Sequence, residues 1–288
     1  MKTLSTIALF LFASVSMMAD VSTSEKEALI KLYNQTGGSQ WTKSWDLKKS
    51  VATWYGVKVK NDKVVELNLS DNNLVGVFPE AVGNLTNLVK LNFFKNELSG
   101  VIPANIGNLK ELRLLNLSFN MLSGKIPYSI GSLTKLHSLE LAMNSLSGKL
   151  PSEIGKLDKL TTLALYNNAL EGSIPNSFYQ MKSLKTLLLN SNNLSGKLDK
   201  AIGNLEFLQH LSLFDNNFEG QVPYELEKLL GLKEMNISYN NFDGFVSRKL
   251  VALDTLNLTM INTRGVAVAL PVKSREIAVP NTAIAAED

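Results

Sequence analysis

Few side chains in this 288-residue chain could do chemistry: two histidines, His137 and His210, no cysteine, and one short run that places His137, Ser138 and Glu140 together. An imidazole, a hydroxyl and a carboxylate in company suggest an activated serine and acyl transfer. Their spacing argues against it. If the run is a strand, adjacent side chains point to opposite faces, so His137 and Ser138 face apart. His210 and Asp215 share a strand but stand too far apart along it to touch. Repeat spacing separates the strands of the two histidines by roughly 14 Å, so they cannot share a metal ion. No H-E-x-x-H, G-x-S-x-G, phosphate-binding glycine loop or dinucleotide fingerprint occurs. Neither catalysis, metal nor cofactor is therefore expected.

The elements that position these residues repeat. The frame L-x-x-L-x-L-x-x-N-x-L-x-G-x-I-P begins at positions 64, 88, 112, 136, 160, 184, 208 and 232, a period of 24 residues without insertion. Its asparagines run from Asn72, Asn96 and Asn120 to Asn240, and its glycines from Gly76 to Gly244. Such regularity means a solenoid. Alternating leucines in LxxLxL predict one short strand per repeat, stacked about 4.8 Å apart into a parallel concave sheet. A buried asparagine amide donates and accepts at once, so the asparagine column can satisfy the backbone where the strand turns. Glycine then allows the tight bend and the I-P step favours extended backbone, while the xxIGxLxx stretch supplies a short 3₁₀ or irregular helix outside.

With the leucines inward, the third, fifth, seventh and eighth places of each repeat face out. Phe94, Phe119, Met143 and Tyr166 then fall on four successive strands, with Leu114 nearby and Phe214 and Tyr239 further along. Exposed aromatics on a rigid curved sheet suit protein or peptide contact, because they bury large area at little entropic loss. Lys90, Lys95, Arg113, Glu140, Lys185, Asp215 and Glu234 form a polar surround suited to specificity.

The segments LSGVIP (98–103) and LSGKIP (122–127) resemble the leucine-rich repeat family, in the 24-residue subtype of plant extracellular proteins, over residues 64–255. The resemblance implies an α/β leucine-rich repeat solenoid: a curved horseshoe with a parallel concave β-sheet, short convex helices and a helical N-terminal cap. ATWYGVKV (52–59) resembles the C-x-W-x-G-V-x-C cap of plant members, with Ala52 and Val59 in place of the cysteines. The cysteine-free EALxxLYNxTGGxxW pattern is closer to secreted bacterial or protist members.

Residues 1–19 read as a secretory signal peptide: Lys2, an apolar run from Ile7 to about Val15, then small residues. Residues 20–63 read as the N-terminal cap, with TSEKEALIKLYNQTGG reading as a helix that Thr23 or Ser24 can cap and that Gly37-Gly38 follow at its end, and with Trp41, Trp45 and Trp54 covering the open solenoid end. Residues 64–255 hold the eight repeats, and 256–288 a degraded ninth strand beginning LNLTMINTRG, a C-terminal cap and a tail. Asp199 and Ser247 stand where other repeats have proline. A secreted chain without cysteine must be held by its core, which 45% apolar composition can supply.

Net charge is only +3 and dispersed, which points away from nucleic acid and acidic lipid. The sequons at Asn34, Asn68, Asn84, Asn116, Asn193, Asn236 and Asn257 follow mostly from the N-L-S of the repeat, with Asn34 and Asn84 best placed for use. The expected product is a secreted protein, extracellular or periplasmic, monomeric and without a membrane span. It would bind a protein or peptide through its concave face, without catalysis. The alternatives are an inhibitor of a secreted hydrolase, as plant polygalacturonase inhibitors of this subtype suggest, and a structural or adhesion role. Ice binding, known for one plant relative, needs a regular Thr or Asn ladder; the column Asn73, Glu97, Met121, Ser145, Ala169, Asn193, Asn217, Asn241 is too irregular.

Overall fold

The computed structural model describes residues 21–254, 256 and 258–272. Residues 1–20, where a signal peptide is expected, Thr255, Asn257 and the residues from 273 lie outside the described residues. The rest is a leucine-rich repeat solenoid, with parallel strands on the concave side and lone 3₁₀ turns on the convex side.

Each repeat's LxxLxL contributes a concave strand, three residues long after the first repeat, such as Lys90–Asn92, Leu114–Asn116 or Ser138–Glu140, and these pair in parallel at matching places. Leu91, Leu115, Leu139, Leu163 and Leu187 stack inward and are buried. Each contributes about 1.5–3 kcal/mol of apolar burial. Among the described residues this sheet has nine strands; the first, Val57–Lys60, runs antiparallel to Lys63–Asn68 and closes the N-terminal edge.

A second parallel sheet of eight strands, from Val75–Val77 to Asn241–Asp243, runs along the flank. The sequence reading has only a glycine bend here. The bend is real, with φ between +73° and +81° at Gly100, Gly124, Gly148, Gly172, Gly196, Gly220 and Gly244, but the residues around it stay extended long enough to pair. The proline then opens the convex 3₁₀ turn, as Pro103 does for Ala104–Asn108. Where proline is missing, the replacement is a capping residue. Asp199 accepts a hydrogen bond from Ala201 N at 2.7 Å, and Ser247 Oγ accepts one from Leu250 N at 3.3 Å to start the helix Arg248–Val251.

The asparagine column satisfies the turning backbone as expected. Asn144 Nδ2 donates to Leu117 O and Leu141 O at 3.0 and 3.1 Å, and its Oδ1 accepts from Leu122 N at 2.9 Å. One amide thus ties its own repeat to the one before it.

The N-terminal helix spans Thr23–Gln35, and its cap is Ser22, not Thr23 or Ser24: Ser22 Oγ accepts from Glu25 N at 3.3 Å. Both expected caps lie inside the first turn, where their own N–H groups need acceptors. Trp41, Trp45 and Trp54 are buried, with Trp45 stacked on Trp54 at 4.7 Å and edge-on to Trp41 at 4.9 Å. At the other end, among the described residues, the expected strand of a ninth repeat does not extend the concave sheet beyond Glu234–Asn236. Thr259–Ile261 instead pairs antiparallel with Ala267–Ala269, and Asp254 closes the sheet edge through an isolated bridge to Met235.

Candidate functional site: the concave face and its rim

The concave strands end at the fifth place of each repeat, so only the third and fifth places lie on the sheet itself. Leu114 and Glu140 are there, both half-buried. The aromatics stand two or three residues further on, along the edge where the chain turns toward the flank sheet. Phe94, Tyr166 and Phe214 are half-buried, while Phe119, Met143 and Tyr239 are 38%, 36% and 40% exposed. They therefore form a rim, not a central patch.

The seventh place does not face out uniformly. Ser118, Ala142 and Ser238 are buried, and Ser118 Oγ accepts from Ala142 N at 3.1 Å. The physical reason is the turn: strand alternation stops once the backbone leaves extended geometry. Every eighth residue is left-handed, with φ from +51° to +58° at Asp71, Lys95, Phe119, Met143, Asn167, Ser191, Asp215 and Tyr239. Aspartate and asparagine adopt that conformation readily; phenylalanine, methionine and tyrosine do so with more strain. The period alone conceals this, since the eighth place carries no consensus residue.

Two aromatic pairs flank the rim. Phe94 and Phe119 meet at 5.2 Å with planes at 64°, and Phe214 and Tyr239 meet at 5.2 Å. Between them, Asn167 Nδ2 lies 2.6 Å from Met143 Sδ.

Polar groups pair along the stack. Lys90 meets Glu66 at 2.9 Å, Lys95 meets Asp71 at 3.2 Å and His210 Nδ1 meets Glu234 at 3.1 Å. Arg113, Lys185 and Asp215 of the polar surround are exposed. The serine, histidine and carboxylate do not assemble: Ser138 donates to Glu140 at 2.7 Å, but His137 Nδ1 is turned to Lys135 O at 2.8 Å. Among the described residues no group of three or more His, Cys, Asp or Glu side chains could hold a metal ion. On the convex side burial pushes the Tyr179 phenol up to about 12.

Two family models match the chain, described as a leucine-rich repeat region over residues 127–263 and a leucine rich repeat over residues 62–122, together well over half its length. The chain belongs to the leucine-rich repeat family. Among solved structures, this leucine-rich repeat chain is similar to the plant peptide hormone receptor RGFR1 in complex with RGF2. They share 30% identity with a TM-score of 0.63, over 72% of this chain but only 32% of the receptor chain. It is also similar to a chain of the BIR3–SERK2 complex from Arabidopsis thaliana at 32% identity and a TM-score of 0.50, over 58% of this chain and 93% of that one. A plant ice-binding protein is similar at 26% identity and a TM-score of 0.63, over 90% of this chain and all of that one (100%). No curated protein matches the sequence. Among the described residues no helix is long and apolar enough to cross a membrane.

Proposed function

We propose that the chain is a secreted or surface recognition module that binds a protein or peptide at the concave face and its rim, with no chemistry of its own. The observation that carries this reading is the rim. Phe119, Met143 and Tyr239 keep a third or more of their surface exposed at left-handed φ, where smaller polar residues sit more easily. Large side chains held there against conformational preference supply rigid contact area. The likeness to a plant peptide hormone receptor supports the same ligand class. The proposed organisation is a cleaved signal peptide over 1–19, a cap over 20–63, repeats of the plant-type 24-residue subtype over 64–255 and a closing segment over 256–288. The location is extracellular or periplasmic, and the cysteine-free form points to a bacterial or protist secreted protein.

The ice-binding neighbour shares the fold, yet the first outward column of the flank sheet here includes Glu97, Met121 and Ala169, a poor match to a repeating lattice. An inhibitor of a hydrolase calls for a dense charge cluster, and the charges along the concave face and its rim are mixed in sign, with three of the acidic groups paired to basic neighbours.

The test is a pull-down from the secretome and surface extract of the source, comparing the secreted protein with its Phe119→Ala/Tyr166→Ala variant. A partner retained by the wild type and lost by the variant is expected, with a combined loss of about 3–5 kcal/mol of binding. Equal recovery by both proteins overturns the placement on this face, and absence of any partner overturns the recognition reading in favour of a structural role.

A further inference from the structure

Glu140 stands in the middle of the concave sheet, on the strand Ser138–Glu140, and its two carboxylate oxygens are held separately. Asn116 Nδ2 of the preceding repeat donates to Oε2 at 2.8 Å, and Ser138 Oγ donates to Oε1 at 2.7 Å. Both donors are neutral. Elsewhere on the concave face Glu66, Asp71 and Glu234 each meet a basic side chain within 3.2 Å; among the described residues no salt bridge includes Glu140. Its cross-strand partners in register are Asn116 and Ala164, and the seventh-place residue two beyond it is the buried Ala142. Leu114 lies on the strand before, and Phe119 and Tyr166 stand at the rim on either side.

A half-buried carboxylate with a fixed orientation, small neighbours and no cation is an incomplete pair. Two neutral hydrogen bonds orient the carboxylate without neutralising it, so lone pairs of full charge still face the ligand side. Ala142 and Ala164, both buried, place neither a charge nor a polar side chain beside the carboxylate, and the nearby apolar surface lowers the local dielectric and strengthens attraction to a cation.

We propose that the ligand is a peptide segment that places a lysine or arginine side chain on Glu140, with an apolar side chain of the same segment against Phe119 or Tyr166. This rests on the reading that the concave face binds a peptide or protein. Glu140 then supplies selectivity and the aromatics supply contact area.

The probe is a random linear 12-residue peptide library displayed on phage, panned on the full secreted chain and on its Glu140→Gln, Glu140→Lys and Phe119→Ala/Tyr166→Ala variants. Thermal melting checks that each variant is folded. The expected result is enrichment of peptides with a lysine or arginine at a fixed spacing from an apolar residue. These should bind Glu140→Gln about tenfold more weakly, and Glu140→Lys should select acidic peptides in their place. Peptides that depend on Phe119 and Tyr166 but show no basic preference, or that bind Glu140→Gln as well as wild type, overturn the inference and leave the concave reading standing. If no selected peptide depends on Phe119 or Tyr166, both fall together.

Discussion

The two ends of the solenoid close in different ways. An end exposes two things at once, the apolar cross-section of the core and the free backbone edge of the last strands. At the N-terminal end the cross-section is covered by aromatic mass: Tyr33, Trp41, Trp45 and Trp54 stack against one another, and each indole N–H finds a carbonyl, Thr36 O, Tyr55 O or Asp46 O, at 2.8 to 3.0 Å. The polar side of the problem is solved less completely there, since the buried Nδ2 of Asn72 has no hydrogen-bond partner. At the C-terminal end the balance reverses. Asp254, 3% exposed, accepts from Ile237 N, Ser238 Oγ and Leu256 N at 2.8 to 2.9 Å, while Phe245 and Val266 remain more than half exposed. One end is closed by stacked aromatic rings, the other by a carboxylate clasp over the smaller aliphatic side chains of Leu258, Met260 and Leu270. The contrast teaches that a repeat stack tolerates different closures as long as each end answers the larger of its two exposures.

If aromatic mass closes the N-terminal end, removing its centre should have the largest effect in the molecule. Trp45→Ala deletes a buried ring in contact with three others and orphans Tyr55 O. The expected loss is about 3–5 kcal/mol, read as a lower urea midpoint. A loss below about 1 kcal/mol would show the first repeat to be self-sufficient and break the comparison. The clasp should matter less, and more locally. Asp254→Ala leaves four donors, Leu258 N at 3.3 Å included, without their acceptor, an expected loss of about 2–3 kcal/mol; Asp254→Asn keeps one carbonyl oxygen and should fall between. Amide exchange is expected to rise first around Ile237 and Ser238, and a uniform rise along the stack would contradict a local clasp.

The ends are also where the sequence is least legible. The eight-fold period makes the concave strands, the asparagine ladder and the convex 3₁₀ turns readable, because each residue type is repeated until its role is unambiguous. The cap tryptophans are legible for another reason: three large apolar rings before an open core have nowhere else to go. Asp254 is not, since a single aspartate after the last repeat resembles any surface residue until the backbone N–H groups of Ile237 and Leu256 are seen around it. The rim suffers from the opposite problem. The frame locates Phe119, Met143 and Tyr239 correctly in sequence, but strand alternation puts the seventh and eighth places on the sheet, and only the positive φ at the eighth moves them to its edge. The flank sheet is hidden likewise, because L-x-G reads as a bend and its pairing depends on the neighbouring repeat.

The ladder offers a finer comparison of interior with end. Asn168 Nδ2 donates to Leu141 O and Leu165 O and its Oδ1 accepts from Leu146 N, all at 3.0 to 3.1 Å, whereas Asn72 only accepts, from Lys43 N at 2.7 Å. Asn168→Ala should lose about 2 kcal/mol and Asn72→Ala about 1 kcal/mol or less, both measured by urea denaturation. Equal losses would mean that the unpartnered Asn72 amide is not the weaker rung.

The smallest effects come from the two capping residues that replace proline, and they separate the interior from the end most cleanly. Asp199 caps a convex turn with a repeat on either side, and Ser247 caps the helix Arg248–Val251 next to the C-terminal closure. Each cap is worth about 1 kcal/mol. In the interior that loss is shared by the stack, so Asp199→Ala should lower the main melting temperature by about 2–4 °C. At the end it is confined to what lies beyond the cap. Ser247→Ala is therefore expected to leave the main transition within about 1 °C of wild type and to raise amide exchange only from residue 247 onward. Equal shifts of the main transition for both variants would show that the C-terminal closure melts together with the repeats and is not a separate, weaker unit.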